Sequence, residues 1–99
     1  MTKATADIEI DENNFEVRRN GAVIWMRPKE FELLRALAKR AGKVVSRSEL
    51  LARVWGYDPK VVSRTIDTHL GELRRRLGHT SEEPGYIETV SRRGYRLRA

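Results

Sequence analysis

The segment of residues 61–77 carries apolar side chains at the spacing of an α-helix. Ile66, Leu70, Leu73 and Leu77 follow one another at intervals of four, three and four residues, so a helix aligns them on one face. The opposite side is mostly polar and carries Val61, Arg64, Thr68, Gly71 and Arg75. We expect the apolar side to pack into a core and the polar side to meet a partner.

Three shorter segments ahead of this helix alternate between apolar and polar residues, as half-buried β-strands do. They cover residues 8–10, 15–17 and 22–26. The Asn-Gly pair at 20–21 predicts a two-residue hairpin turn, because both residue types tolerate positive φ. We therefore predict a small antiparallel sheet, preceded by residues 1–6, which show no periodicity and are interpreted as a linker or an added N-terminal segment.

Two further helices are predicted between this sheet and the long helix. Pro28 suits the first turn of a helix, where a missing N–H costs no hydrogen bond, and an apolar stripe follows it. Gly42 is interpreted as the left-handed cap that ends this helix. Ser46 and Glu49 have the spacing of a capping box, which predicts the start of a second helix that runs to Trp55.

The chain ends in a second pair of predicted strands, residues 86–90 and 95–98. The segment 91–94 between them carries two arginines. Strands, then three helices, then a hairpin is the order of a winged helix-turn-helix domain. We therefore predict an α+β fold over residues 7–99, with an N-terminal antiparallel sheet, three helices and a C-terminal β-hairpin wing.

The charge of the chain favours a nucleic-acid partner. The 99 residues carry a net charge of +6, and the isoelectric point is about 10.2. Residues 1–16 hold one lysine and five acids, a net −4, so the remainder carries +10. The alternative is that many small soluble domains are basic without binding DNA.

Several classes of function are disfavoured by what the sequence lacks. It has no cysteine, and its two histidines, His69 and His79, do not have the spacing of a metal site. No nucleophile motif and no glycine-rich phosphate loop is present. No apolar run approaches the roughly 20 residues that span a bilayer. We therefore expect a cytoplasmic protein with no enzymatic activity, no metal, no cofactor and no membrane contact.

Several motifs in a fixed order make the pattern more specific. They are Pro28-Lys29-Glu30-Phe31-Glu32-Leu33-Leu34, Val45-Ser46-Arg47-Ser48-Glu49-Leu50-Leu51, Val54-Trp55-Gly56, Arg64-Thr65-Ile66-Asp67-Thr68-His69-Leu70, Leu73-Arg74-Arg75-Arg76-Leu77, Ile87-Glu88-Thr89-Val90 and Gly94-Tyr95-Arg96-Leu97. With these motifs the chain resembles, over about residues 7–98, the DNA-binding effector domain of OmpR/PhoB-type response regulators.

The resemblance implies a transcription regulator that binds double-stranded DNA, commonly as direct repeats. Helix 61–77 would be the recognition helix in the major groove, and wing 91–94 would reach the minor groove. A receiver domain would lie on the same longer chain, and the isolated domain would be a monomer that pairs on DNA. The loop before the recognition helix would contact RNA polymerase; it comprises Trp55, Gly56, Tyr57, Asp58, Pro59 and Lys60.

The sequence departs from the family pattern at three places. Arg27 occupies the usual position of a threonine-type cap of the first helix. Ser91, Arg92 and Arg93 replace the usual arginine-glycine order of the wing, so its positive charges are shifted. Residues 71–72, Gly-Glu, stand where members often carry basic residues.

Side-chain chemistry indicates which groups would contact DNA. Arg64 and Arg75 are suited to guanine or phosphate, and Thr68 to a thymine methyl. Glu72 would accept from a cytosine amino group or pair with a nearby arginine, and Asp67 would orient an arginine. The predicted contacts are Arg64, Thr65, Thr68, His69, Glu72, Arg75 and Arg76 on the helix, and Thr89, Arg92, Arg93 and Tyr95 on the wing and its flanks.

Two other classes of function are weighed against DNA binding. One is a protein-interaction module, in which the acidic N-terminal sheet docks a receiver domain or the loop after Trp55 docks polymerase. The other is an enzyme, and no sequence motif supports this class. Trp25 and Trp55 are interpreted as packing residues rather than as base-stacking residues.

Overall fold

The computed structural model describes residues 2–5, 8–56, 63–78 and 85–98. Four strands come first, then three helices, then two strands. They are β1 (Thr2–Thr5), β2 (Ile8–Asp11), β3 (Glu16–Arg19), β4 (Ala22–Ile24), α1 (Pro28–Ala38), α2 (Arg47–Trp55), α3 (Ser63–Arg76), β5 (Ile87–Val90) and β6 (Gly94–Leu97). The predicted α+β class and the order of helices and hairpin are confirmed.

The first four strands form an antiparallel sheet in the order β1-β2-β3-β4. Ile10 pairs with Val17, and Val17 with Ile24, so apolar residues meet on the face that covers the helices. Within the segment interpreted as a linker, Thr2–Thr5 form a strand that pairs with β2 along its whole length. The strand sequence Thr-Lys-Ala-Thr shows no apolar alternation, so the sequence pattern did not predict this edge strand, which the backbone pairing with β2 defines.

The two described turns of this sheet differ in their match to the sequence prediction. The Asn20-Gly21 turn is confirmed, with φ of 52° and 84° between Arg19 and Ala22. Phe15 was predicted in a strand but lies in the preceding turn, with φ of 53° and 70 % of its surface exposed. Asp11 holds this turn by accepting hydrogen bonds from Asn13 and Asn14, and the Asn14 side chain lowers the pKa of the Asp11 carboxyl.

The first residue of α1 agrees with the sequence prediction, and the end of the helix does not. Pro28 starts the helix as expected. At the departure from the family pattern, the backbone N–H of Arg27 donates to Glu30 Oε1 at 3.0 Å, so Glu30 satisfies a donor at the helix start. Gly42 has φ of 83°, but α1 ends at Ala38, and Gly42 instead donates its N–H to the carbonyl of Leu97.

The start of α2 confirms half of the predicted capping box. Ser46 Oγ accepts a hydrogen bond from the N–H of Glu49 at 3.2 Å. The carboxylate of Glu49 instead accepts from Arg40 and Arg53, each at 2.9 Å. Gly56, with φ of 68°, ends the helix as predicted.

The core lies where the three helices meet the sheet and the hairpin. Ile66, Leu70, Leu73 and Leu77 are all buried, which confirms the apolar face predicted for α3. The backbones of Val45 and Tyr95 exchange hydrogen bonds, at 2.8 and 2.9 Å, and attach the hairpin to the segment before α2. This attachment fixes the wing relative to the helices.

Candidate nucleic-acid interface

The exposed side of α3 presents the residues that its periodicity predicted. Arg64, Thr68, Gly71 and Arg75 are exposed and lie at intervals of four, three and four residues, opposite the buried stripe. No ion pair or hydrogen bond involves the Arg64 guanidinium among the described residues. Among the described residues it is therefore a cation on this side whose donors remain for a partner.

Two other residues on this side are internally bonded. Thr68 Oγ1 donates to the carbonyl of Arg64 at 3.2 Å, one turn back, which leaves its methyl group to face outward. Arg75 donates to both oxygens of Glu72, one of the two alternatives considered for that carboxylate. The Arg75 side chain is 72 % exposed, so this is a surface ion pair. A phosphate or base of DNA can replace Glu72 as the partner of Arg75.

His69 and Thr65 lie at the edge of the exposed side and are half-buried. His69 Nδ1 lies 2.9 Å from the carbonyl oxygen of Thr65. A carbonyl oxygen only accepts, so Nδ1 carries the hydrogen and Nε2 is the nitrogen left for a partner. The ring also meets Trp55 edge to face, at 5.2 Å between centroids, which places Trp55 in packing as predicted.

Asp67 joins three elements. Its carboxylate accepts from Arg47 at the start of α2 and from the Tyr95 hydroxyl of β6, the latter at 3.1 Å. The expectation that Asp67 orients an arginine is met by Arg47 rather than by Arg64. Arg47 was not among the predicted contacts, because nothing in its local sequence shows that α2 begins beside the wing.

Arg74 connects α3 to the wing. Its guanidinium donates to the carbonyl of Ile87, at 3.1 and 3.2 Å, and to Thr89 Oγ1, at 2.7 Å. It also lies over the ring of Tyr95, 5.8 Å from the centroid. Burial lowers the pKa of Arg74 from its ordinary value, although the nearby Tyr95 raises it. Thr89 and Tyr95 are thus both bonded to α3 in the free domain.

The wing turn presents its arginines to solvent. Arg92 has φ of 61°, Arg93 donates its N–H to the carbonyl of Val90, and both side chains are exposed. A groove of about 190 Å³ lies beside the turn. It is lined by Arg47, Thr89, Val90, Arg92, Arg93, Gly94 and Tyr95. Three cations from two elements therefore surround one depression, which suits a phosphate.

Arg76 lies apart from these residues. Its Nε donates to Glu30 Oε1 at 2.5 Å, and its guanidinium stacks over Trp25, 4.6 Å from the ring centroid. Glu30 is only 1 % exposed. Trp25, interpreted as a packing residue, is 65 % exposed and packs on Arg76 of α3 rather than in the core. The tryptophan covers the ion pair from outside.

The proposed polymerase loop is described only in part. Gly56 is exposed and left-handed, and Trp55 is half-buried beside Lys29, whose Nζ lies 6.0 Å from the ring centroid. Residues 57–60 lie outside the described residues, as do residues 61–62 at the start of the predicted recognition helix.

The described residues also bear on two other classes of site. They contain no cluster of three or more histidine, cysteine, aspartate or glutamate side chains arranged to hold a metal ion. Among the helices described, none has the length and apolar character needed to cross a membrane.

Known proteins are similar to this chain in sequence and in structure. A family described as "Transcriptional regulatory protein, C terminal" matches residues 21–97. The phosphate regulon transcriptional regulatory protein PhoB of Rhizobium meliloti is 44 % identical over 91 residues, which are 92 % of this chain and 40 % of the relative. The response regulator MtrA of Mycobacterium tuberculosis is 40 % identical, with the same coverage. The chain thus spans about two fifths of the length of these curated relatives.

Solved structures give the same result. The RstA DNA-binding domain of Klebsiella pneumoniae, crystallised in complex with the RstA box, superposes with a TM-score of 0.88 at 29 % identity, covering 98 % of this chain and 96 % of that one. The response regulator DrrB of Thermotoga maritima, an OmpR/PhoB homologue, superposes with a TM-score of 0.88 at 37 % identity, covering 99 % of this chain and 44 % of that one. This chain therefore belongs to the family of transcriptional regulatory protein C-terminal domains, and within it to the OmpR/PhoB type.

Proposed function

We propose that this domain binds double-stranded DNA in a sequence-specific manner and regulates transcription as the output domain of a response regulator. The observation that carries this proposal is the connection of the exposed side of α3 to the wing. Asp67 and Arg74 of α3 bond to Tyr95, Thr89 and the carbonyl of Ile87. The arginines of α3 and those of the wing are thereby held on one rigid unit. A domain that contacts two adjacent grooves of a duplex requires such a unit.

In this proposal α3 lies in the major groove. Arg64 offers a bidentate contact to guanine or phosphate, and Thr68 offers a methyl group to thymine. Glu72 either accepts from a cytosine amino group or releases Arg75 to a phosphate. His69 and Thr65, at the half-buried edge of this side, reach the phosphates that flank the groove.

The wing contacts the neighbouring minor groove and its phosphates. Arg92 and Arg93 are exposed at the turn, and an arginine there enters a narrow, negative groove favourably. Arg47 joins them at the same depression and adds a phosphate contact that the sequence did not predict. Thr89 and Tyr95 serve mainly to hold the wing, since Arg74 and Asp67 occupy their hydroxyl groups.

Arg76 acts in the fold rather than at DNA. Its pairing with the buried Glu30 and its cover by Trp25 leave the side chain only 21 % exposed. The retained DNA-contact set on α3 is therefore Arg64, Thr65, Thr68, His69, Glu72 and Arg75.

The partners of this domain are proposed from the longer proteins to which the chain is similar. The similarity to response regulators much longer than this chain supports a receiver domain on the same polypeptide. The RstA complex with its box supports DNA as the ligand. We further propose that the isolated domain is a monomer that pairs head to tail on direct repeats, and that residues 55–60 contact RNA polymerase.

Selection of bound sequences from a random duplex pool tests the proposal. An enriched repeat, bound at least about 10³-fold more tightly than random DNA and with steep salt dependence, is the expected result. If no sequence is enriched and only weak, salt-sensitive binding remains, sequence-specific recognition is refuted for this domain. The alternative of a protein-interaction module is then favoured.

A further inference from the structure

Gly71 lies in the middle of the exposed side of α3, between Thr68 and Arg75. Glycine in a helix interior lowers the folding equilibrium by a factor of about two to five relative to alanine. A glycine at this position therefore needs a compensating reason.

The described part of the domain supplies no such reason. Gly71 is helical and does not share the positive φ of the turn glycines. A Cβ added at Gly71 meets no described atom within 4 Å, whereas one added at Gly94 lies 2.1 Å from the carbonyl oxygen of Val45. Gly94 is thus required by packing, and Gly71 is not.

Gly71 leaves a gap in the row of exposed side chains on α3, and we call this gap the saddle. The Thr68 hydroxyl is turned back to the carbonyl of Arg64, so the threonine presents its methyl group. Glu72 and Arg75 pair with each other beside the glycine. The floor of the saddle is the Gly71 Cα, with Thr68 and Arg75 one turn to either side of it on the exposed side of α3 and Arg64 a further turn back.

We propose that Gly71 determines specificity by letting α3 approach a base pair closely enough to seat the 5-methyl group of a thymine in this saddle. The inference rests on the proposed DNA binding and assigns one base-reading position within it. A thymine methyl is the apolar group that the major groove displays, and an apolar floor recognises it by exclusion of water. A Cβ at position 71 would occupy the same space and hold the helix away.

The test compares the wild-type domain with Gly71→Ala and Gly71→Leu on the duplex enriched by selection. Each thymine of the site is replaced in turn by uracil, which removes only the methyl group, and thymines outside the site are replaced as a control. We expect wild-type affinity to fall about four-fold at one position, the loss that corresponds to burial of one methyl group. Gly71→Ala should bind the thymine duplex more weakly and lose this discrimination, and Gly71→Leu should weaken binding further.

Thermal unfolding separates this effect from a damaged fold. Gly71→Ala should raise the Tm by about 2–8 °C, because alanine is the better helix former and its Cβ meets no described atom within 4 Å. Equal affinity and equal thymine preference in wild type and Gly71→Ala would overturn the inference while leaving DNA binding intact. Weakened binding by Gly71→Ala without any thymine preference in the wild type would overturn the methyl assignment. A wild-type domain that selects no sequence would contradict the proposed function itself, and the inference with it.

Discussion

Arg76→Ala should lower the free energy of unfolding of this domain. It should leave DNA recognition by the folded domain unchanged. The change removes the partner of Glu30, whose carboxylate is 1 % exposed and whose Oε2 has no hydrogen-bond partner among the described residues. Breaking a buried ion pair on one side costs about 3–5 kcal/mol, because the remaining charge stays buried. The N–H of Arg27 still donates to this carboxylate at 3.0 Å, so we expect the lower end, about 3 kcal/mol.

A loss of this size should lower the Tm by about 12–24 °C for a domain of this length. Urea unfolding followed by far-ultraviolet circular dichroism measures the loss without relying on the fluorescence of Trp25, whose surroundings change. Adding Glu30→Gln to Arg76→Ala should recover at least about 1 kcal/mol, because the neutral amide carries no buried charge and keeps an acceptor for Arg27.

The neighbouring arginine provides a matched control. Arg75 is exposed and pairs with Glu72 at the surface, so Arg75→Ala should change the stability by less than about 0.5 kcal/mol. It should nevertheless weaken binding to the selected duplex, whereas Arg76→Ala, assayed at a temperature at which it is folded, should not. A stability loss below about 1 kcal/mol for Arg76→Ala, combined with weakened binding, would refute the structural role and restore Arg76 as a DNA contact.

Three further perturbations test the remaining parts of the interface and core. Arg64→Ala should weaken specific binding by about 1–3 kcal/mol in fluorescence anisotropy, and unchanged affinity would remove Arg64 from the interface. Arg92→Ala together with Arg93→Ala should reduce the dependence of log K on log salt by about two units with no change in Tm; an unaltered slope would mean that the wing does not reach DNA. Leu73→Ala should cost about 2–5 kcal/mol in urea unfolding, because a fully buried side chain leaves a cavity, and a silent substitution would contradict the packing of α3.

The sequence pattern predicted the elements that depend on local periodicity, helix-start residues or turn residues. The apolar stripe of α3, the proline start of α1 and the Asn-Gly turn each follow from interactions within a few residues, so they can be seen without the fold. The same holds for the exposed side of α3, since burying one face of a helix determines which side remains outside. Strand β1 was missed because a backbone-paired edge strand leaves no apolar alternation to detect.

Candidate site residues divide in the same way. Arg64, Thr68 and Arg75 are exposed as expected from their helical spacing. The DNA contacts predicted from the sequence omitted Arg47 and included Arg76, although both are arginines in or beside predicted helices. The difference lies in partners far along the chain: Asp67 is 20 residues from Arg47, and Glu30 is 46 residues from Arg76.

Local periodicity and capping chemistry thus determined, from the sequence by itself, that three helices follow a sheet and that α3 has one buried and one polar side. Only the tertiary structure decided which cations are free and which are held, because an ion pair forms where two side chains meet in space, whatever their separation in sequence. It also decided how the wing is attached, through Asp67 and Arg74 to Tyr95 and Thr89. The physical reason is that burial and charge pairing depend on the packing of all the elements together, whereas helix and turn formation depend mainly on neighbours.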